Sequence, residues 1–355
     1  MRVLVAMSGG VDSSVVAALL HEQGHEVVGA TLQLYDHGAA IARKGACCAG
    51  QDIQDARNVA EALGIAHYVL DREQRFREAV IQDFADSYAR GETPIPCIRC
   101  NQSVKFHDLT ELAADLGCEA MATGHYARRF DGPELHMAAD PVRDQSYFLA
   151  HTTPAQLART LFPLGDFASK AEVRAHAARL GVAVAEKPDS QDICFVPEGS
   201  YADVVGKLRP EALQPGEIVD EAGVVLGTHR GLARYTVGQG RGLGLSRRED
   251  EAPLFVAALD APRRRVVVAH RARLAQARIR VGDVNWLMAP PAGAFRCTAK
   301  LRGREQPAAM SAEWDGAELT LTPDVPGIAA PGQAAVLYQG TRIIAGGFIR
   351  AQNPT

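Results

Sequence analysis

The sequence predicts an α/β fold, with an N-terminal doubly wound parallel sheet followed by a small β-rich central domain and a C-terminal β-barrel. Three observations predict it. Strand-like and helix-like segments alternate through the first half of the chain, the pattern of a parallel sheet covered on both faces. Beyond about residue 205 helical periodicity fades and Gly and Pro become dense. From about Arg278 onward the chain is almost purely strand and turn. The expected boundaries are residues 1–204, 205–274 and 275–355.

Each element follows in order. Val3–Ala6 reads as a first strand, Val11–Gln23 as a helix and Val27–Leu32 as a second strand. Helical spacing runs from Asp52 to Leu63 (Ile53, Ala56, Val59, Ala60, Leu63) until Gly64 stops it. His67–Leu70 is a third strand, Asp108–Leu116 a helix closed by Gly117, and Glu119–Thr123 a fourth strand. Ligands in such sheets bind beyond the carboxyl ends of the strands, at the switch point. That rule nominates the loop at Ser8, the strand exit near Leu32, and Gly124-His125. Short β-branched runs then predict the later strands: Ile218-Val219, Val224–Leu226, Leu254–Leu259, Val266–Val268, Glu318–Thr322 and Ala334–Tyr338.

At 355 residues, 47% hydrophobic and 23% charged, the chain has the composition of an ordinary globular protein. No run of 18 apolar residues is present, so no transmembrane helix is expected. A first strand starting at residue 2 leaves no room for a signal peptide. Seven cysteines, an odd number, argue for free thiols in a reducing cytoplasm rather than a disulfide framework.

The net charge of −4 conceals a gradient. Between Arg230 and Arg280 stand twelve arginines, no lysine and four acids, a balance of +8. Arginine-rich, glycine-interleaved loops suit a phosphate backbone. The basic segment from Arg230 to Arg280 is expected to contact a nucleic-acid backbone, with charge reversal at Arg263–Arg265 as its test; a merely solvated arginine face is the plain alternative.

Ala6-Met7-Ser8-Gly9-Gly10-Val11-Asp12-Ser13-Ser14 lies between the first strand and the first helix. A strand, a Ser/Gly turn and a helix N-terminus build a phosphate cradle from backbone N–H groups and the helix dipole. Gly9 and Gly10 let the backbone approach an anion closely. Ser8, Ser13 and Ser14 add hydroxyls, and Asp12 is expected to hold Mg²⁺ on the phosphates. The loop is neither a Walker A motif nor Gly-x-Gly-x-x-Gly.

Sulfur chemistry needs a thiolate, and a nearby cation or a helix N-terminus lowers a thiol's pKa. Cys100 lies in Thr93-Pro94-Ile95-Pro96-Cys97-Ile98-Arg99-Cys100-Asn101, with Arg99 and Lys105 close by and a helix expected to follow. It is a candidate nucleophile. Cys97–Cys100 read as half a zinc site finds no second Cys-x-x-Cys to complete it. Cys118 and Cys297 read as buried apolar residues. Cys47-Cys48, Thr123–Tyr126, Asp144–Leu149 and Asp189–Phe195, which holds Cys194, also stand out.

The loop Ser8–Ser13 resembles that of the ATP pyrophosphatases, and the segments together resemble the tRNA 2-thiouridylase family over nearly the whole chain. Tyr235–Gln239 and Gly242–Gly244 extend the match into the central domain. The resemblance implies a PP-loop nucleotide domain of the adenine nucleotide α-hydrolase type. It implies ATP, with Mg²⁺, bound by Ala6, Met7, Ser8, Gly9, Gly10, Val11, Asp12, Ser13, Leu32 and Gly124. The uridine C2 oxygen would be adenylated. Cys194 would carry a persulfide and Cys100 would resolve it, leaving a Cys100–Cys194 disulfide for reduction. tRNA would be contacted by His125, Arg143, Asp144, Gln145, Arg302, Arg304 and Gln333. The implied partners are tRNAs with a wobble uridine, accepting Lys, Glu or Gln, and a persulfide donor such as a cysteine desulfurase or sulfur relay protein; no membrane is involved.

Two departures bear on mechanism. Cys97 stands where some members carry Asp, and Ile95 replaces an Asn. Cys97, Cys100 and Cys194 together leave open a [4Fe–4S] cluster that delivers sulfide. Two rival functions remain at this point. A PP-loop amide ligase would leave Cys100 and Cys194 without a role, and a non-catalytic RNA-binding protein would not need the intact loop Ser8–Ser13.

Overall fold

The computed structural model describes residues 1–35, 48–130, 132–182, 184–185, 187, 193–196, 200–245 and 252–351. Cys47, residues 189–192 and residues 247–251 therefore lie outside the described residues. The chain divides into two compact units: 1–80 with 97–195 and 341–344, and 81–96 with 196–340 and 345–355.

The first unit is built on a parallel sheet of β1 (Arg2–Ala6), β2 (Glu26–Gln33), β3 (Ala66–Asp71), β4 (Ala120–Ala122) and a two-residue strand, Thr160–Leu161. Its spatial order is β3, β2, β1, β4 and then Thr160–Leu161. β1 is central, pairing Val3 with Val27 on one side and with Ala120 on the other. Val3, Leu4 and Val5 are fully buried, as expected of a strand covered on both faces. Val3 and Val5 pack with Val15, Val16 and Leu19 of the helix Val11–Glu22, Val59 of the helix Cys48–Leu63, and Val173 of the helix Lys170–Arg179. Leu4 points the other way, where the helix Phe106–Asp115 contacts β1 and β4. Winding reverses between β1 and β4, so the crevice beyond their carboxyl ends lies between Met7-Ser8 and Thr123-Gly124.

The expected strands and helices of this sheet are present, with ends shifted by a few residues. Several helices were not expected. Pro96 opens the helix Pro96–Cys100 at a position where its missing N–H costs nothing. That helix runs on through a π-helical turn, Asn101–Lys105, into Phe106–Asp115. The helix Lys170–Arg179 buries only Lys170, Val173 and Ala177, too few apolar positions to give a period. A hairpin of β5 (Ala127–Arg129) and β6 (Leu135–Met137) completes the unit, with Arg342 paired to His136. In chain order Thr160–Leu161 is β7.

The second unit contains a four-stranded sheet and a barrel. β8 (Gly216–Val219), β9 (Val225–His229), β10 (Leu254–Asp260) and β11 (Arg265–His270) lie in the order β10-β11-β8-β9. Ile218, Val256, Val266 and Val268 form their core with Tyr235 and Val237. The barrel strands are β12 (Ile279–Trp286), β13 (Ala294–Lys300), β14 (Ala308–Trp314), β15 (Leu319–Pro323), β16 (Ala334–Gln339) and β17 (Arg342–Ile349). β12 pairs with both β15 and β17, which closes six antiparallel strands and removes the edges. The helix Tyr201–Leu208, not expected from sequence, is held here by Tyr201 stacking on Tyr88 at 5.1 Å and by an ion pair of Arg209 with Asp86. Among the described residues no helix is long and apolar enough to cross a membrane.

Candidate active site

The loop after β1 turns at Gly9, whose φ of +74° belongs to the left-handed region. A Cβ there would strike the backbone of Asp52, and one on Gly124 would press on Ser13 N at 3.0 Å. Glycine is therefore required at Gly9, and at Gly124 a side chain would crowd the loop. Ser13 Oγ accepts from Ser8 N at 3.1 Å and lies 3.2 Å from Ser8 Oγ. Ser14 Oγ donates to Gly10 O at 2.8 Å. These bonds hold the turn's shape. Gly10 caps the following helix without any side-chain hydrogen bond, so the first N–H groups of that helix are left for an anion. The open space above Gly10, where a Cβ would find only Ser8 Oγ at 3.5 Å, fits the same use.

Two lysines absent from the expected site complete the loop. Lys187 Nζ donates to Gly9 O at 3.0 Å and to Asp52 and Asp55 carboxylates at 2.6 Å each, tying the loop to the helix Cys48–Leu63. Burial disfavours its charge, but these two carboxylates outweigh it and raise the pKa. Lys170 Nζ takes both oxygens of Asp12, and Tyr126 OH donates to the same carboxylate at 2.7 Å. Asp12, the carboxylate expected to hold Mg²⁺, is engaged here by Lys170 and Tyr126. Leu32, at the end of β2, pairs with Leu70 of β3.

The cysteines occupy the same unit. Cys100 is buried, while Cys97 and Cys194 are exposed. Cys100, Cys194 and Lys105 lie close enough to one another, and to Cys97, for their ionisation to be shifted. Burial pushes the Cys100 thiol up to about 11, with Lys105 opposing it and Cys194 and Cys97 adding to it. Crowding by protein atoms raises Cys194 as well, again against Lys105. For Lys105, burial favours the neutral amine, but the three sulfurs prevail and its pKa is raised.

A helix follows Cys100, as expected, but Cys100 already belongs to the helical run that opens at Pro96, and desolvation defeats the nearby cation. The π turn explains how Lys105 reaches Cys100. Five residues along an α-helix place side chains about 140° apart, whereas a turn closed by i→i+5 bonds brings them onto one face.

Tyr35, just after β2, hydrogen-bonds Cys194, and its own ionisation is opposed by burial, by Cys194 and by Asp52. Its ring lies 6.0 Å from that of Phe76, which is fully buried and meets Phe195 edge-on at 5.8 Å. Asp52, which neighbours Gly9, and Cys194 both lie within electrostatic reach of Tyr35. His125, beside Gly124, stacks on Phe106 at 6.2 Å and bonds Thr123 Oγ1 through Nδ1 at 2.9 Å. Burial, then Lys105, lower its pKa to about 3, so it is neutral.

The remaining expected residues hold structure in this state. Gln145 Oε1 accepts from Tyr126 N at 3.0 Å, and Asp144 Oδ1 accepts from Ala138 N and Ser146 N. Arg143 lies on the same turn, its N–H bonded to Asp140 O. Within the second unit Gln333 Nε2 donates to Thr93 O at 2.8 Å. Arg302 faces Glu305 at 3.8 Å, and Arg304 is exposed on the same β13–β14 turn. Arg263 and Arg265 pair with Asp260 and Glu217, and Arg264 bonds Gln214. With Pro215 and Gly216 these arginines line a cleft of about 420 Å³.

Residues 1–198 match the tRNA methyl transferase HUP domain, residues 203–270 the tRNA methyl transferase PRC-barrel domain, and residues 276–349 the aminomethyltransferase beta-barrel domain. The chain is 61% identical to the tRNA-specific 2-thiouridylase MnmA of Acidiphilium cryptum over 98% of its length and 100% of the relative's. It is 60% identical to the protein of that name from Rhodospirillum centenum, over 98% of this chain and 91% of that one. For the Gluconobacter oxydans protein, also so named, identity is 57% over 99% of both. On this similarity across its full length, the chain belongs to the tRNA-specific 2-thiouridylase family.

Proposed function

We propose that the chain is an ATP-dependent tRNA-uridine 2-sulfurtransferase that converts a wobble uridine to 2-thiouridine. The observation that carries this reading is the placement of Cys100 and Cys194 in one unit with the loop at Gly9, both within electrostatic reach of Lys105. An amide ligase or a passive RNA-binding protein has no use for that placement.

ATP binds at Ala6–Ser13, Leu32 and Gly124, with its phosphates on the uncapped helix N-terminus. Asp12 would be the loop carboxylate to hold Mg²⁺, which when bound would neutralise charge on the phosphates. The uridine C2 oxygen attacks the α-phosphorus and releases pyrophosphate, so that AMP becomes the leaving group at C2. The terminal sulfur of a Cys194 persulfide then attacks C2 and expels AMP. The Cys100 thiolate attacks the inner Cys194 sulfur, forming the disulfide and breaking the S–S bond to the base. The two thiols supply the two electrons that reduce the transferred sulfur, and 2-thiouridine is left.

If Cys97, Cys100 and Cys194 held a [4Fe–4S] cluster, the metal would deprotonate the thiols and supply sulfide in place of the persulfide. The persulfide route is preferred because it gives Cys100 and Cys194 distinct roles with no further group.

His125, Arg143, Asp144 and Gln145 on the nucleotide domain, and Arg302, Arg304 and Gln333 on the barrel, are assigned to tRNA. Asp144 and Gln145 hold that segment in shape for the contact. The sulfur donor is a persulfide-bearing protein, the compartment is the cytoplasm, and the working division is 1–204, 205–274 and 275–355. Mass spectrometry of tRNA nucleosides after deletion of the gene tests the reading. Loss of wobble 2-thiouridine is expected, restored by the wild type but not by Cys100→Ser or Cys194→Ser. Unchanged 2-thiouridine in the deletion strain overturns it.

A further inference from the structure

Arg264 has a left-handed backbone, with φ at +53°, in the turn that joins β10 to β11. Its N–H donates to Ala261 O at 3.1 Å, and Pro262 takes the second place in that turn, where proline is favoured. A left-handed residue ending a hairpin turn is ordinarily glycine, so an arginine here stores strain. A buried histidine holds it in place. His229, 1% exposed, donates from Nε2 to Arg264 O at 3.0 Å. Its Nδ1 accepts from Gly231 N at 3.0 Å, which fixes the proton on Nε2. The bond passes over Gly216, where a Cβ would lie 2.0 Å from Arg264 O and 2.7 Å from His229 Nε2. The side chain is exposed, and its Nη1 donates to the neutral Gln214 Oε1 at 2.8 Å. Arg263 and Arg265 have carboxylates at 2.9 Å, Asp260 and Glu217; among the described residues Arg264 has none. All three arginines line the cleft with Pro215, Gly216 and Glu217. We propose that this cleft binds a phosphate of the RNA backbone, that Arg264 is the group that takes it, and that His229 is the positioning residue for Arg264.

The inference rests on the reading of the chain as an enzyme acting on tRNA. A guanidinium presents a planar fork that matches two phosphate oxygens. The bond from Arg264 to a neutral amide gives way to a phosphate more readily than the charge-assisted pairs of Arg263 and Arg265. Three arginines stand against one glutamate in the lining, so the cleft favours an anion. No aromatic ring lines it, so nothing there grips a nucleobase. Such a contact positions the RNA without reading its sequence. Strain kept at an exposed arginine, by a histidine buried beneath it, is stability given up for a fixed guanidinium.

Arg264→Gly separates this role from a structural one, because it removes the guanidinium and gives the left-handed position the residue that suits it. The measurement is binding of an unmodified tRNA transcript with a wobble uridine to the full-length protein at several salt concentrations, beside thermal unfolding. The expected result is an affinity about tenfold lower, a log–log salt slope smaller by about 0.7, and a melting temperature unchanged or higher. Arg264→Lys, which keeps the charge without the fork, should hold the slope and lose part of the affinity. His229→Leu should weaken tRNA binding with every arginine present, yet weaken it no further when added to Arg264→Gly, since it acts through Arg264. Unchanged affinity and slope in Arg264→Gly overturn the assignment while leaving the tRNA reading intact. Affinity lost together with a lowered melting temperature makes Arg264 structural and overturns it too. A wild-type protein that binds no tRNA removes the functional reading, and this site with it.

Discussion

The Lys170 ammonium grips both carboxylate oxygens of Asp12, at 2.7 and 2.8 Å, across 158 residues of sequence. Lys170 is nearly buried and Asp12 partly so. Removing the cation leaves a carboxylate short of its partner, and breaking a buried pair is costly. Lys170→Met should therefore destabilise the protein by about 2 kcal/mol, below the fully buried case because Asp12 still reaches water. Urea unfolding checks this; an unchanged midpoint contradicts it.

The raised pKa of Cys100 gives the resolving step a pH dependence of definite sign. Below about 11 the thiolate fraction, and with it the rate of disulfide formation, should rise tenfold per pH unit. Single-turnover formation of the Cys100–Cys194 disulfide, followed by quenching and mass spectrometry, reads this. A rate already flat at pH 7 contradicts the burial described for Cys100.

His125 should stay neutral across the physiological range, since its pKa falls to about 3. A histidine depressed in the folded state binds fewer protons than in the unfolded chain. Its contribution to stability is therefore whole above 6.5 and is lost progressively as pH falls toward 3. His125→Asn should flatten the acid side of the stability curve over that window. Ring NMR signals of His125 that titrate near pH 6.5 would refute it.

Arg263, Arg264 and Arg265 are tethered to Asp260, Gln214 and Glu217, all at the protein surface. Such exposed pairs are worth little and can be exchanged for phosphate. Affinity for tRNA should fall steeply with salt, and glutamate at all three positions should reduce the log–log slope by about 0.7 per lost contact. A slope unaffected by the triple change removes this surface from the tRNA interface.

Much of the fold was legible in the sequence, and for physical reasons. Val3-Leu4-Val5 reads as a doubly covered strand, and Gly9-Gly10 before a helix reads as an anion loop. The cysteines were legible as chemistry, but not their environment. Burial of Cys100 depends on residues far away in sequence, and α-helical spacing places Lys105 on the wrong face unless the π turn is known. Lys170 and Lys187 were missed because each acts on a segment more than 130 residues away. A compositional signal did exist. The chain holds 32 arginines and only six lysines, and Lys105, Lys170 and Lys187 are half of those six. Where arginine has displaced lysine nearly everywhere, a retained lysine marks a place needing a compact ammonium with three donors.

The unequal exposure of Cys100 and Cys194 has a consequence for the proposed cycle as a whole. After each turnover an external reductant reaches the disulfide through the exposed sulfur of Cys194, and must expel Cys100. A thiol of high pKa leaves slowly. The same high pKa that slows resolution by Cys100 would thus also slow resetting in the proposed cycle, tying turnover to the surrounding thiol pool. A shift toward oxidising conditions would idle the enzyme with its nucleotide loop intact, coupling the decoding properties of its tRNAs to the redox state of the cell.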